Sequence, residues 1–405
     1  MKKYLLLLSL IVVAATASAQ LPIIPAAYRT DIYIPLLKGK RVAIFANHTA
    51  TIGGTHLVDT LQKLGVNITK AFGPEHGFRG KADAGEKIDN YKDSATGITV
   101  ISLYGKKRRP SAEDLVDVDI MLFDIQDVGV RFYTFISSLQ EYMEAAIENK
   151  KALIILDRPN PNGFYIDGPI LDTAYKSFVG MQPIPVVYGM TMGEYAMMIA
   201  GEKWLNEKAN HSVDTAFQLQ VIKCANYNHK SKYELPIKPS PNLPDMAAVY
   251  WYASTCYFEG TIFSEGRGTD HPFSIFGHPA LPNSMFAFTP LSRDGAKEPK
   301  LKNKLCYGWN LHGTAELVLQ NLNHQIQLKY LIEAYRLYPQ KDSFFIRPKS
   351  GESKDYFFNK LAGNDVLMQQ LKAGKTEAAI RRSWQLGLNA FKKIRKKYLL
   401  YEDFE

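Results

Sequence analysis

Val118-Asp-Ile-Met-Leu-Phe-Asp124 and Lys151-Ala-Leu-Ile-Ile-Leu-Asp157 set the architecture of this chain. Each is a short apolar run closed by an aspartate. Between them, Phe132 to Asn149 carries apolar Phe135, Ile136, Leu139, Met143 and Ile147 at three- and four-residue spacing, the period of an amphipathic helix. Apolar strands joined through a helix make a βαβ unit. Strands without hydrophobic alternation belong to a parallel sheet covered on both faces. On either side of this unit the pattern continues. Arg41 to Asn47, Asn67 to Phe72 and Ile98 to Leu103 read as further strands, and Thr55 to Leu64 as a helix. Thr191-Met-Gly-Glu194 is a capping box that opens a helix running to about Asn210, and Phe217 to Cys224 is one more strand. Leu235 to Pro244 holds four prolines in ten residues, a stiff connector and the best domain boundary. Beyond it, residues 246–310 read as loop-rich and aromatic. Helical patterns return at Gln325 to Tyr338, Asp355 to Leu371 and Thr376 to Leu400.

The division expected is a leader over 1–19, an α/β domain over 20–245 and a smaller, helix-rich α/β domain over 246–405. Lys2 and Lys3 precede the apolar run Leu5 to Val13, and Ala17-Ser-Ala19 has the small residues of a cleavage site. The run is short for a membrane span, and no cysteine follows it to carry a lipid. The expectation is an exported protein, periplasmic or secreted, with no stable membrane anchor. The formal charge is +9, and the leader takes two lysines and no acids with it, leaving +7. Lys392, Lys393, Arg395, Lys396 and Lys397 concentrate part of that charge. They form either a surface for an anionic polymer or a solvated helix face. Nothing resembles a nucleic-acid-binding motif. Three cysteines, Cys224, Cys256 and Cys306, are too few for a disulfide scaffold and read as buried apolar residues.

In an open parallel sheet, ligands bind beyond the carboxyl ends of the strands. Here the segments after four of the strands are polar. Asn47-His48-Thr49 succeeds the first, and Glu75-His76 stands in Phe72-Gly-Pro-Glu-His-Gly-Phe-Arg-Gly80 after the second. Asp124, Gln126, Asp127 and Arg131 lie beyond Leu122-Phe123, and Asp157-Arg158-Pro-Asn160 beyond Ile155-Leu156. Three glycines and a proline give the Glu75 loop a fixed shape, and Arg79 lies on it. A further cluster, Ser264-Glu265-Gly-Arg267-Gly-Thr-Asp-His271, places an arginine between two glycines, where its planar fork suits a carboxylate or phosphate.

GxSxG, GxxxxGK[ST], GxGxxG and HExxH are all absent from the sequence. The residues therefore point to carboxylate chemistry without a cofactor. Scattered His48, His76, Asp127 and His271 are weak evidence for a metal, and none is assigned. Glu75 is the candidate general acid, since partial desolvation between Phe72 and Phe78 would favour the protonated carboxyl. Asp127, Asp157 and Glu265 are candidate second carboxylates.

Six segments together resemble the NamZ-type exo-β-N-acetylmuramidases. They are the Glu75 loop, Phe123-Asp-Ile-Gln-Asp-Val-Gly-Val-Arg-Phe-Tyr-Thr134, Leu156-Asp-Arg-Pro-Asn-Pro-Asn-Gly163, Asp167-Gly-Pro169, Pro239-Ser-Pro-Asn-Leu-Pro244 and Ser264-Glu-Gly-Arg-Gly-Thr269. Tyr398-Leu-Leu-Tyr401 is similar to that family's C-terminal signature. The resemblance runs from about Arg41 to the end. It implies a Rossmann-like, doubly wound N-terminal domain beside a smaller C-terminal one, and release of N-acetylmuramic acid from non-reducing ends of peptidoglycan fragments. It implies Glu75 as the catalytic glutamate. By position only, His76 and Asp127 join it as catalytic. Asn47, Arg79, Arg131, Tyr133, Asp157, Arg158, Asn160, Glu265 and Arg267 become substrate contacts. The lactyl carboxylate of that sugar calls for an arginine such as Arg131 or Arg267. Asn162 and Asp270-His271 depart from the pattern and leave fine specificity open. The alternatives are a muropeptide-binding protein without turnover and a cell-wall amidase or esterase.

Overall fold

The structure is a computed structural model that describes residues 21–75, 77–80 and 89–405. The expected leader and His76 lie outside the described residues.

The N-terminal half is built on one sheet. Its strands are β1 (Arg41–Ala46), β4 (Asn67–Gly73), β5 (Tyr91–Lys92), β6 (Thr99–Ser102), β7 (Ile120–Asp124), β8 (Ala152–Leu156) and β9 (Leu219–Ile222); β2 (Thr51–Ile52) and β3 (Thr55–His56) form a separate hairpin. The order across the sheet is β5-β6-β4-β1-β7-β8-β9, parallel throughout except for the β5 edge. Alternate residues feed two cores. Ala43, Phe45, Met121, Phe123, Leu153 and Ile155 face one, and Val42, Ile44, Ala46, Leu122, Ile154 and Leu156 face the other. Helices α1 (Thr30–Leu37) and α2 (Leu57–Lys63) cover the second face; α3 (Phe135–Glu148) and α4 (Met192–Gly201) cover the first. Burial on both faces is why these strands lack hydrophobic alternation. This is the doubly wound α/β architecture expected.

Thr191 and Glu194 close the predicted capping box, with each backbone N–H bonded to the other's side chain. The helix stops at Gly201, however, and α5 (Glu207–Ala216) restarts it after a bend. Lys203 takes a positive φ of 56° there, and the Asn206 side chain caps the new helix.

Residues 246–310 are more regular than their composition suggests. Helix α6 (Met246–Thr255) is buried on every side, so it shows no amphipathic period to read. Strands β10 (Ile275–His278), β11 (Phe286–Phe288) and β12 (Cys306–Asn310) form a second, antiparallel sheet. Helices α7 (Ala315–Leu322), α8 (Lys329–Leu337), α9 (Phe357–Ala362), α10 (Val366–Lys372) and α11 (Glu377–Arg395) complete the chain. The single helix expected over Asp355 to Leu371 is two, broken where Gly363 adopts φ 82°.

One apolar core runs from Phe45 through Trp251 to Phe391 and joins the two halves. The proline-rich connector packs into this junction. The Tyr133 hydroxyl donates to Pro239 O at 2.7 Å, and Asn242 Nδ2 donates to Gly295 O at 2.8 Å. The basic cluster near the C-terminus is largely paired. Arg395 is fully buried against Asp403, Lys392 meets Glu405 and Lys397 meets Glu202. The three cysteines are buried free thiols.

Candidate active site

A cavity of about 330 Å³ opens where the carboxyl ends of β4 and β6 meet the C-terminal half. Glu75, Tyr104 and Arg108 line it from the sheet side. Phe132, Tyr133, Phe135 and Phe178 form aromatic wall, as do Tyr252, Phe273 and Phe357. Thr134, Val179, Ser240, Asn242, Leu243, Glu259 and Arg267 complete the lining.

The two sheet residues that face each other are delivered by strand register. Phe72 pairs with Ile101 and Gly73 with Ser102 in the parallel β4–β6 ladder. Two residues beyond each strand stand Glu75 and Tyr104, and the Tyr104 hydroxyl donates to Glu75 Oε1 at 3.0 Å. Burial and the neighbouring carboxylate push the Tyr104 phenol up to about 12, so it remains a donor at any ordinary pH.

The loop holding Glu75 is fixed from below. Gly77 takes φ 77° and its N–H donates to Pro74 O at 2.9 Å, a turn that an L side chain would strain. Phe78 is buried in the second core beside His56. Arg79 forks onto Asp59 (3.0 and 2.8 Å) and Asp93 (3.0 and 2.7 Å), which ties the loop to α2 and to the segment after β5. Both aspartates are held below the usual carboxylate range by that guanidinium. Arg79 is thus an anchor of the loop, not a group turned to the cavity. Phe72 and Phe78 sit in the cores and do not line the cavity either.

On the opposite wall Arg267 pairs with Glu259 at 2.5 Å and Glu265 at 3.3 Å, and stacks over Phe273. Lys300 also meets Glu265, at 2.8 Å. Glu259 therefore faces the cavity as a carboxylate next to a cation, and Glu265 lies buried behind the pair.

Of the residues expected from the sequence, the structure brings Glu75, Tyr133 and Arg267 to the cavity. The other described ones lie elsewhere. Arg131 is fully buried and donates to the carbonyls of Pro169, Ile184 and Leu361 at 2.6–2.9 Å, bracing the two halves together. Asp127 is buried. Its Oδ2 accepts from Gly129 N at 2.6 Å and from the Tyr188 hydroxyl, and burial pushes its pKa up to about 6. Asn47 folds back on Thr49, and Arg158 forks onto buried Asp124 at 2.5 and 2.8 Å. Asn160 donates to Met190 O and holds Asn162 N. Asp157 accepts from Gly193 N at 2.9 Å and the Tyr401 hydroxyl at 2.6 Å.

Sequence reasoning missed Tyr104, Arg108 and Glu259. A signal exists for the first two, which lie just past the predicted strand Ile98 to Leu103. The rule that polar residues beyond a parallel strand face the ligand crevice covers them as it covers Glu75. Glu259 sits in a short 3₁₀ turn, Cys256–Gly260, within the stretch that reads as loop, and carries no signal.

Among the described residues, the scattered metal-type residues do not converge. His48 bonds to Lys238 O, and Asp127 to Tyr188. His271 instead joins Asp245 and His312, with candidate ligand atoms within 4.8 Å of one another. The two imidazoles lie face to face, centroids 3.6 Å apart and planes 22° from parallel. Stacked rings do not aim their nitrogens at a common point.

A carboxylate on a loop at the carboxyl edge of a parallel sheet shares an aromatic-walled cavity with a second carboxylate, and two carboxylates are what glycoside hydrolases commonly use. Comparison with known proteins places it more narrowly. The chain belongs to the exo-β-N-acetylmuramidase NamZ family: the family's N-terminal model matches residues 42–247 and its C-terminal model residues 250–401. It is 37% identical over 389 residues to the peptidoglycan β-N-acetylmuramidase NamZ of Bacillus subtilis strain 168, covering 91% of this chain and 89% of that protein. Two crystal structures of DUF1343 family proteins from Bacteroides fragilis superpose with TM-scores of 0.84 and 0.77 at 44% and 28% identity. Each covers 94% of this chain and 99% of its own. The protein is an enzyme of the glycoside hydrolase class.

Proposed function

We propose that this enzyme is an exo-β-N-acetylmuramidase that removes N-acetylmuramic acid from the non-reducing ends of peptidoglycan fragments. The observation that carries the reading is Glu75, held by Tyr104 in an aromatic-walled cavity, in a chain whose two halves both match that family. The relative from Bacillus subtilis bears the matching name. A cavity of about 330 Å³ lies within the size range of small-ligand sites.

In this reading Glu75 protonates the leaving glycosidic oxygen and afterwards takes a proton from water. Glu259, paired with Arg267, faces the positive charge that develops on the ring. The aromatic walls hold the sugar and exclude water. Asp127, Asn47, Asp157, Arg158 and Asn160 shape the loops behind the cavity rather than touching substrate. Export is read from the leader-like residues 1–19, and places the enzyme where its polymer is.

The test is turnover of 4-nitrophenyl β-N-acetylmuramide beside the matching N-acetylglucosaminide, for wild type and Glu75→Gln. Hydrolysis of the muramide that falls by roughly 10²–10⁴ in the variant is expected of a general acid. A variant as active as wild type would remove Glu75 from the mechanism. Wild type inert towards the muramide would remove the substrate.

A further inference from the structure

We infer that Arg108 is the residue that recognises the lactyl carboxylate and so separates N-acetylmuramic acid from N-acetylglucosamine. The inference rests on the proposed muramidase reading and assigns the specificity element of the same cavity. The chain offers several arginines near the strand ends, and the structure commits nearly all of them elsewhere. Arg79 carries two aspartates, Arg158 one, and Arg131 is closed off among backbone carbonyls. Arg267 lines the cavity, but Glu259 and Glu265 already neutralise it. A guanidinium with two carboxylates would bind a third only by giving one up.

Arg108 differs in each respect. It lines the cavity, is exposed to solvent and, among the described residues, makes no ion pair. Glu141, the carboxylate whose ionisation it influences, is held by Arg109 at 3.3 Å. The Arg108 guanidinium lies over the Phe178 ring, 4.1 Å from its centroid. That contact is to a ring and, among the described residues, no hydrogen bond takes up its N–H groups, which a carboxylate meets bidentately. Stacking also reduces the side-chain freedom lost when an anion binds. Its position is tied to the chemistry, because one loop after β6 carries both Arg108 and Tyr104, the donor to Glu75. Arg108, Tyr104 and Glu75 line the same cavity, so an anion on Arg108 shares the space of the acid.

The experiment compares wild type, Arg108→Gln and Arg108→Lys on three substrates: 4-nitrophenyl β-N-acetylmuramide, the same compound with its lactyl carboxyl capped as a methyl ester, and the N-acetylglucosaminide. Arg108→Gln should lose roughly 10- to 100-fold in kcat/KM on the free acid, the size of a charged hydrogen-bond pair. It should change little on the ester and the glucosaminide. Arg108→Lys should fall between, since it keeps the charge without the fork. Equal losses on all three substrates would mean that Arg108 only shapes the loop, and an unchanged free-acid value would mean another group reads the carboxylate; either overturns the assignment. Wild type that ignores the free-acid muramide fails the parent reading itself, and shows this without any variant. Unfolding temperatures of all three proteins check that the exposed substitution leaves the fold intact.

Discussion

Two places at the carboxyl edge of the same parallel sheet are rich in polar side chains, and they have opposite fates. Beyond β4 and β6, Glu75 and Tyr104 look into a cavity. Beyond β8 and β9, Asp157, Glu194 and His229 look into the chain's own tail. Tyr401 donates to Asp157 Oδ2 at 2.6 Å, Leu400 N to Glu194 Oε1 at 2.8 Å, and His229 N to Glu402 O at 2.9 Å. The His229 ring bridges Glu194 and Gly163 O. The tail covers the polar groups at one end of the sheet, whereas at the other end Glu75 and Tyr104 line a cavity. A polar strand end is therefore a site only where the rest of the chain leaves it open.

The contrast fails most visibly if an open-end residue behaves like a tail-end one. Glu75→Gln should cost roughly 10²–10⁴ in kcat and leave the unfolding temperature nearly unchanged. A variant equally inactive but strongly destabilised would mean that Glu75, too, is chiefly structural.

The second test uses pH. Burial raises both Asp127 and Asp157 from 3.8 to about 6. A carboxyl raised in the folded state holds its proton where the unfolded chain has lost it. Its contribution to stability is fully present below about pH 4 and is lost as pH rises through about 6. Asp127→Asn removes that titration. The stability of the variant relative to wild type should therefore climb by roughly 2–3 kcal/mol between pH 4 and pH 7, the size of a two-unit shift. Denaturant unfolding at the two pH values measures it. Turnover by folded Asp127→Asn should stay within a few-fold of wild type, because the carboxylate lies behind the cavity and not in it. A flat difference would place Asp127 in a wetter setting than its burial indicates.

Legibility in the sequence divides along the same line. The sheet is readable because strands buried on both faces must be continuously apolar, and Arg41 to Ala46, Ile120 to Asp124 and Ala152 to Leu156 are. Glu75 is readable because its loop has glycines where only a fixed shape requires them. Which polar residues face inward is not readable. Arg131 and Arg79 have the same chemistry as Arg108, and only the fold shows that Pro169, Ile184 and Leu361 surround one and two aspartates the other. Helix α6 escapes because a helix buried on all sides has no stripe. Asp157 is misplaced because its partner, Tyr401, is 244 residues away in sequence, too distant for any local pattern.

Tyr401→Phe probes the contrast from the tail side. The change removes the donor to Asp157 Oδ2 and the acceptor for Cys224 N while keeping the ring against Tyr227. A buried carboxylate that loses a partner costs roughly 1–3 kcal/mol. Stability measured in denaturant should fall by that amount, with turnover per folded molecule unchanged. Lost turnover at full stability would mean that the tail acts on the cavity.

The smallest expected effect is at Tyr104, and it probes the boundary between the two kinds of site. Tyr104→Phe deletes one hydrogen bond to Glu75 Oε1 and keeps the aromatic wall. A bond of this kind is worth roughly 0.5–1.5 kcal/mol, so kcat/KM on the muramide should drop about 3- to 10-fold. The split between the two kinetic parameters is more telling than the size. A rise in KM with kcat unchanged would mean that Tyr104 contacts the sugar and leaves the carboxylate alone. A fall in kcat with KM unchanged would make Tyr104 a positioning residue that acts through Glu75, supplied by the neighbouring strand through the same parallel register that sets Gly73 beside Ser102.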